Sequence, residues 1–103
     1  MSFSLKRLDE GGTTRLEVSG EVDVSCADEL RDALEECLAE GPTSLEVGLS
    51  GTSYIDSTGI GVLVGAAVHA SEANASFAVV APQRNVARVL TLLGVDERLG
   101  VRP

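Results

Sequence analysis

Apolar and polar residues alternate through the start of the chain. Phe3 and Leu5 alternate with Ser4 and Lys6, Asp9-Glu10-Gly11-Gly12 supplies a turn, and Thr14, Leu16 and Val18 then alternate with Arg15, Glu17 and Ser19. A period of two is what a strand buried on one face requires, so two strands joined by a turn are predicted. After Gly20-Glu21-Val22-Asp23 the period changes. Ala27, Leu30, Ala33, Leu34, Cys37 and Leu38 form one apolar helical stripe; Ser25 with Asp28 fits a capping box at its start, and Gly41-Pro42 stops it. Leu45, Val47 and Leu49 alternate again and predict a third strand from Ser44 to Leu49, with a short loop at Ser50-Gly51-Thr52-Ser53.

A nearly continuous apolar stretch from Ile60 to Ala70 holds Gly, Ala, Val and Leu around most of its circumference and predicts a largely buried helix. Phe77-Ala78-Val79-Val80-Ala81 is apolar without alternation, as in a strand covered on both faces. Pro82 is expected to open a third helix with Val86, Val89, Leu90 and Leu93 facing inward and Gly94 at its end; Leu99 to Val101 reads as a short last strand. This order calls for βα crossovers. The expectation is one α/β domain over 1–103, a mixed sheet of four to five strands packed with about three helices.

Composition narrows the function. The chain has 103 residues, enough to bury a core without metal or disulfide help. Its net charge is −8 with a single lysine, Lys6, which argues against nucleic-acid binding and against attraction to an anionic membrane. No apolar run approaches the ~18 residues of a membrane span. The opening Met1-Ser2-Phe3-Ser4-Leu5-Lys6 does not look like a secretory signal, so a cytoplasmic protein is expected. Cys26 and Cys37 share a helical phase about 16 Å apart, too far to pair, and read as buried apolar residues.

One segment carries chemistry. Asp56-Ser57-Thr58-Gly59 stands where a strand-loop region meets the start of the buried helix. Any one of its polar residues would serve as a cap. Three in a row exceed that need, and Gly59, Gly61 and Gly65 each cost a helix about 1 kcal/mol against alanine. A hydroxyl at a helix N-terminus also tolerates a phosphate, since the free N–H groups there favour anions. A phosphate would add about −1.5 to −2 charges beside the Asp56 carboxylate, breaking contacts built for a neutral hydroxyl.

Tyr54-Ile55-Asp56-Ser57-Thr58-Gly59-Ile60-Gly61-Val62-Leu63 resembles the signature of STAS-domain anti-sigma factor antagonists. Gly20-Glu21-Val22-Asp23 resembles the family's stretch before the first helix, and Arg88-Val89-Leu90-Thr91-Leu92-Leu93-Gly94-Val95 resembles its late helix. The extra C-terminal helix of some members has no counterpart before Pro103. The resemblance implies a partner switch. The unphosphorylated protein binds an anti-sigma factor that is also a serine protein kinase, phosphorylation of Ser57 ends that binding, and a serine phosphatase restores it. Asp23 and Asp56 would flank the contact surface, and Thr58 and Gly59 would shape it. The alternative is a non-switching STAS module, either in a lipid-transport ABC complex or in a stressosome-like scaffold.

Catalysis by the chain itself is not expected. The single histidine, His69, lies twelve residues past Ser57, about 18 Å along one helix, and Ile55 stands where a nucleophile elbow requires glycine. Gly59-x-Gly61 lacks the lysine of a phosphate-cradling loop and the spacing of a dinucleotide fingerprint. One histidine and two cysteines are too few for a metal site, so no cofactor and no metal are expected.

Overall fold

The computed structural model describes residues 3–103; Met1 and Ser2, which open both the N-terminal stretch and the expected domain, lie outside the described residues. Seven elements follow in order: β1 (Ser4–Glu10), β2 (Thr13–Val22), α1 (Ala27–Ala39), β3 (Ser44–Ile55), α2 (Ser57–Glu72), β4 (Ser76–Val80) and α3 (Arg84–Leu92). They build one mixed sheet in the order β1-β2-β3-β4. β1 pairs antiparallel with β2 from Ser4↔Ser19 to Glu10↔Thr13, and β2, β3 and β4 run parallel.

The alternation along β2 and β3 decides what the sheet buries. Leu16, Val18 and Val22 with Leu45, Val47 and Leu49 point into one core, joined by Leu30 and Leu34 of α1, Leu63 of α2 and Val86 and Leu90 of α3. Fully burying one such side chain contributes about 1.5–3 kcal/mol, so this shared layer is the main source of stability. The intervening residues form the opposite face. There Arg15 pairs with Glu17 and lies 3.8 Å from Glu46, which holds Arg102 at 2.6 Å.

Several boundaries differ from the sequence reading. β3 continues through the stretch expected to be a loop, because Gly51, Thr52, Tyr54 and Ile55 pair with Ser19, Gly20, Glu21 and Val22 across two register irregularities. Gly20 takes φ +98 at the second of these, a conformation costly for a side chain. The buried Thr52 hydroxyl donates to the Val18 carbonyl at 2.8 Å, which is how a polar residue sits inside the sheet. No capping box forms at α1: Cys26 is the N-cap without a side-chain bond, and the Ser25 hydroxyl is taken by Asp23.

The third helix begins at Arg84, with Gln83 extended as its N-cap, so Pro82 precedes the helix. Val86 and Leu90 face inward, but Val89 and Leu93 are exposed. Nine helical residues present a narrower buried stripe than the sequence pattern suggests. The last expected strand is reduced to a single bridge, Val80↔Arg102, beside a buried Leu99. Both cysteines are free and buried as expected, Cys26 just outside the helix.

Candidate functional site at the start of the second helix

β2 and β3 end side by side, with Val22 opposite Ile55. The Asp56 amide then donates to the Val22 carbonyl at 3.1 Å, tying the turn into α2 to the end of β2. Asp56 has extended backbone and caps α2: its carboxylate accepts from the Gly59 amide at 3.0 Å. Ile60 N–H donates to the Asp56 carbonyl at 3.0 Å, closing the first helical turn.

Gly59 is dictated by packing. A Cβ there would come within 2.6 Å of Val22 and 2.9 Å of Ile55. The helix start is thus pressed onto the strand ends as closely as backbone allows. Gly61 and Gly65 differ: a Cβ on either would meet nothing within 4 Å. Close packing on the side chains of Val22 and Ile55 accounts for Gly59 and for neither of the others.

With Asp56 capping and Gly59 buried beneath, Ser57 and Thr58 are left exposed on the first turn. Asp23 lies at the same end of the sheet, one residue past Val22. It accepts from the Ser25 amide at 2.9 Å and from the Ser25 hydroxyl, and these bonds hold its carboxyl below the usual carboxylate range. The five sequence-expected residues divide accordingly. Asp56, Ser57, Thr58 and Gly59 form one turn, and Asp23 belongs to the neighbouring β2–α1 connection, joined to that turn through Val22.

The sequence reading missed two residues. Val24 is 73% exposed and Tyr54 50% exposed, large side chains beside Asp23 and Asp56. The signal was partial: Val24 stands between two polar residues with no apolar periodicity to place it inside, whereas Tyr54 adjoins the apolar Ile55 and it is the register of the strand that turns it outward. Exposed aromatic and aliphatic groups around a polar centre are the usual composition of a protein-binding surface.

A groove of about 350 Å³ runs from Thr58 between α1 and α2, lined by Arg31 and Glu35 on one side and by Gly61, Gly65 and His69 on the other. His69 closes its far end, its Nδ1 2.6 Å from the Glu35 carboxylate, which raises the imidazole pKa. The histidine is thus engaged with α1. Among the described residues no group of three or more His, Cys, Asp or Glu side chains is placed to hold a metal, and no helix is long and apolar enough to cross a membrane.

Comparison with known proteins agrees with this arrangement. Residues 7–102 match the family model described as Mlab, STAS domain. An anti-sigma-B factor antagonist of Staphylococcus epidermidis is 30% identical over 102 residues, covering 97% of this chain and 81% of the relative. The anti-sigma-F factor antagonist RsfB of Mycobacterium tuberculosis is 29% identical over 96 residues, covering 93% and 78%. The crystal structure of an anti-sigma factor antagonist from Mycobacterium paratuberculosis superposes with a TM-score of 0.91 at 27% identity, over 99% of this chain and 86% of that one. With its mixed four-stranded sheet, three helices and Asp-Ser-Thr-Gly turn, the chain belongs to the STAS-domain family of anti-sigma factor antagonists.

Proposed function

We propose that this protein is a cytoplasmic anti-sigma factor antagonist whose binding is switched off by phosphorylation of Ser57. The observation that carries the proposal is the division of labour in one helical turn: Asp56 is occupied as the cap, while the neighbouring Ser57 hydroxyl is exposed. The unphosphorylated surface, with Asp23, Asp56, Ser57 and Thr58 at its centre, the buried Gly59 shaping it from beneath and Val24 and Tyr54 beside them, binds an anti-sigma factor that also acts as a serine kinase. That partner then releases its sigma factor.

Phosphorylation turns a neutral hydroxyl into a group of about −1.5 to −2 charges next to the Asp56 carboxylate. The partner must then desolvate two adjacent anions, and like charges at an interface cost several kcal/mol. A serine phosphatase reverses the change. The chain supplies the acceptor hydroxyl and no catalytic group; ATP and magnesium belong to the kinase. A second reading, a non-switching STAS module of a lipid-transport ABC complex or of a stressosome-like scaffold, fits the same match to a STAS-domain model.

The deciding experiment is intact-mass spectrometry after incubation with the cognate kinase and ATP-Mg. One phosphate on the wild type and none on Ser57→Ala is the expected outcome. In a parallel binding assay Ser57→Ala should retain the kinase and Ser57→Asp should lose most affinity. An unmodified wild type, or Ser57→Asp binding as tightly as wild type, overturns the switch and leaves the non-switching reading, transport module or scaffold.

A further inference from the structure

The two edges of the sheet are finished differently. Along β4 the C-terminal segment covers the edge: Val79 N–H donates to the Leu99 carbonyl at 3.0 Å, Arg102 N–H to the Val79 carbonyl at 2.8 Å and Ala81 N–H to the Arg102 carbonyl at 2.9 Å. Nothing comparable covers β1, whose outer side carries no paired strand among the described residues. Such an edge is a template for another strand.

The sequence along that edge is Lys6-Arg7-Leu8-Asp9-Glu10, two positive residues, one apolar, two negative. Read in the opposite direction, its charges are inverted. We propose that β1 pairs antiparallel with β1 of a second copy, centred on Leu8, so that two four-stranded sheets join into one.

Geometry selects the register. A two-fold axis normal to the sheet keeps every side chain on its own face, so opposed residues must be an even number of positions apart. Lys6, Leu8 and Glu10 lie on the open face; Arg7 lies on the helix-bearing face, where it reaches Glu40 at the end of α1 at 2.7 Å. Centred on Leu8, the seam sets Leu8 against Leu8, Lys6 against Glu10 and Arg7 against Asp9. Centring on Arg7 or on Asp9 would oppose identical charges. Leu8 is 45% exposed, and neither Lys6 nor Glu10 makes an ion pair among the described residues, so these groups are available.

Charged edge strands ordinarily prevent such pairing, but only where like charges meet. This order removes that protection against its own antiparallel copy. The association is weak. Exposed ion pairs contribute about 0–1 kcal/mol each, five residues per copy bury far less than the roughly 1,200 Å² of a standard interface, and two chains of net charge −8 repel. The seam lies toward the Gly11-Gly12 turn, at the opposite end from Ser57. Both candidate sites therefore stay accessible, at opposite ends of the joined sheet.

Sedimentation equilibrium on the full chain, in about 0.15 M salt and up to about 1 mM protein, tests the proposal. A reversible monomer–dimer equilibrium is expected. Lys6→Glu and Glu10→Lys should each weaken it at least roughly tenfold, equivalent to about 1.4 kcal/mol, and the double variant should restore it. The single swaps change the net charge in opposite directions, so weakening by both reports the local pairing rather than overall repulsion. Circular dichroism confirms that each variant folds. A monomer throughout the range, a single swap without effect, or a double swap that fails to restore the dimer overturns the proposal.

Discussion

The two ends of the sheet are built on different principles. At the Gly11-Gly12 end, charged side chains are held by one another: Arg7 donates to Glu40 at 2.7 and 3.0 Å and to Asp9 at 3.2 Å, and the Thr14 hydroxyl donates to Asp9 at 2.9 Å. The Arg7 guanidinium accordingly depresses the Glu40 carboxyl, and Asp9 is lowered chiefly by the Thr14 hydroxyl. At the Ser57 end, order comes from backbone and close packing: one cap, the bond from Asp56 N–H to the Val22 carbonyl, and Gly59 pressed on Val22 and Ile55. Its outward groups, Val24, Tyr54, Ser57 and Thr58, are left exposed. Positioning there is done from beneath, which leaves the upper surface free for a partner.

The largest expected effect breaks that packing. Gly59→Ala forces a methyl group onto Val22 and Ile55, and overpacking of this kind costs about 1–3 kcal/mol in a denaturant titration. Asp56→Ala removes the cap and should cost about 1 kcal/mol by the same measurement. Gly61→Ala sharpens the contrast. With nothing within 4 Å of the new methyl it should stabilise the fold by up to about 1 kcal/mol, and a simultaneous loss of partner binding would show that the bare backbone serves the partner.

At the other end, Arg7→Ala should lower the melting temperature slightly while leaving the rate of Ser57 phosphorylation at wild-type value. A changed phosphorylation rate would show that the two ends communicate.

The smallest effect is a pH dependence. Glu35 raises the His69 pKa above its ordinary 6.5, so the pair stabilises the folded state below that value and the gain is lost as pH rises through the raised pKa. Both groups are well exposed, so the difference between wild type and His69→Gln should be a small shift in melting temperature, seen in mildly acidic buffer and absent in alkaline buffer.

Much of this was legible in the sequence because one-sided burial leaves a clear period. The hairpin, α1 and the strand core Leu45-Val47-Leu49 all follow from it, as does the site turn, whose residue types are those of a cap followed by an obligatory glycine. The misreadings occur where a long-range partner overrides local preference. Ser50 to Ser53 look like a loop until β2 supplies backbone partners and Val18 supplies a carbonyl for Thr52. Ser25 looks like a cap until Asp23 takes its hydroxyl. Val24 and Tyr54 fall outside the apolar stripes of the strands and helices, and the fold leaves both exposed beside the turn.

The anchoring of Asp56 and Gly59 has a consequence for timing. With the cap made, the preceding amide bonded to Val22 and no space beneath Gly59, the turn has little latitude to rearrange around a modified neighbour. Under the proposed switch the molecule would keep no conformational memory of its last state. The signal would be erased as soon as the phosphate ester is hydrolysed, so response speed would belong to the kinase and the phosphatase alone.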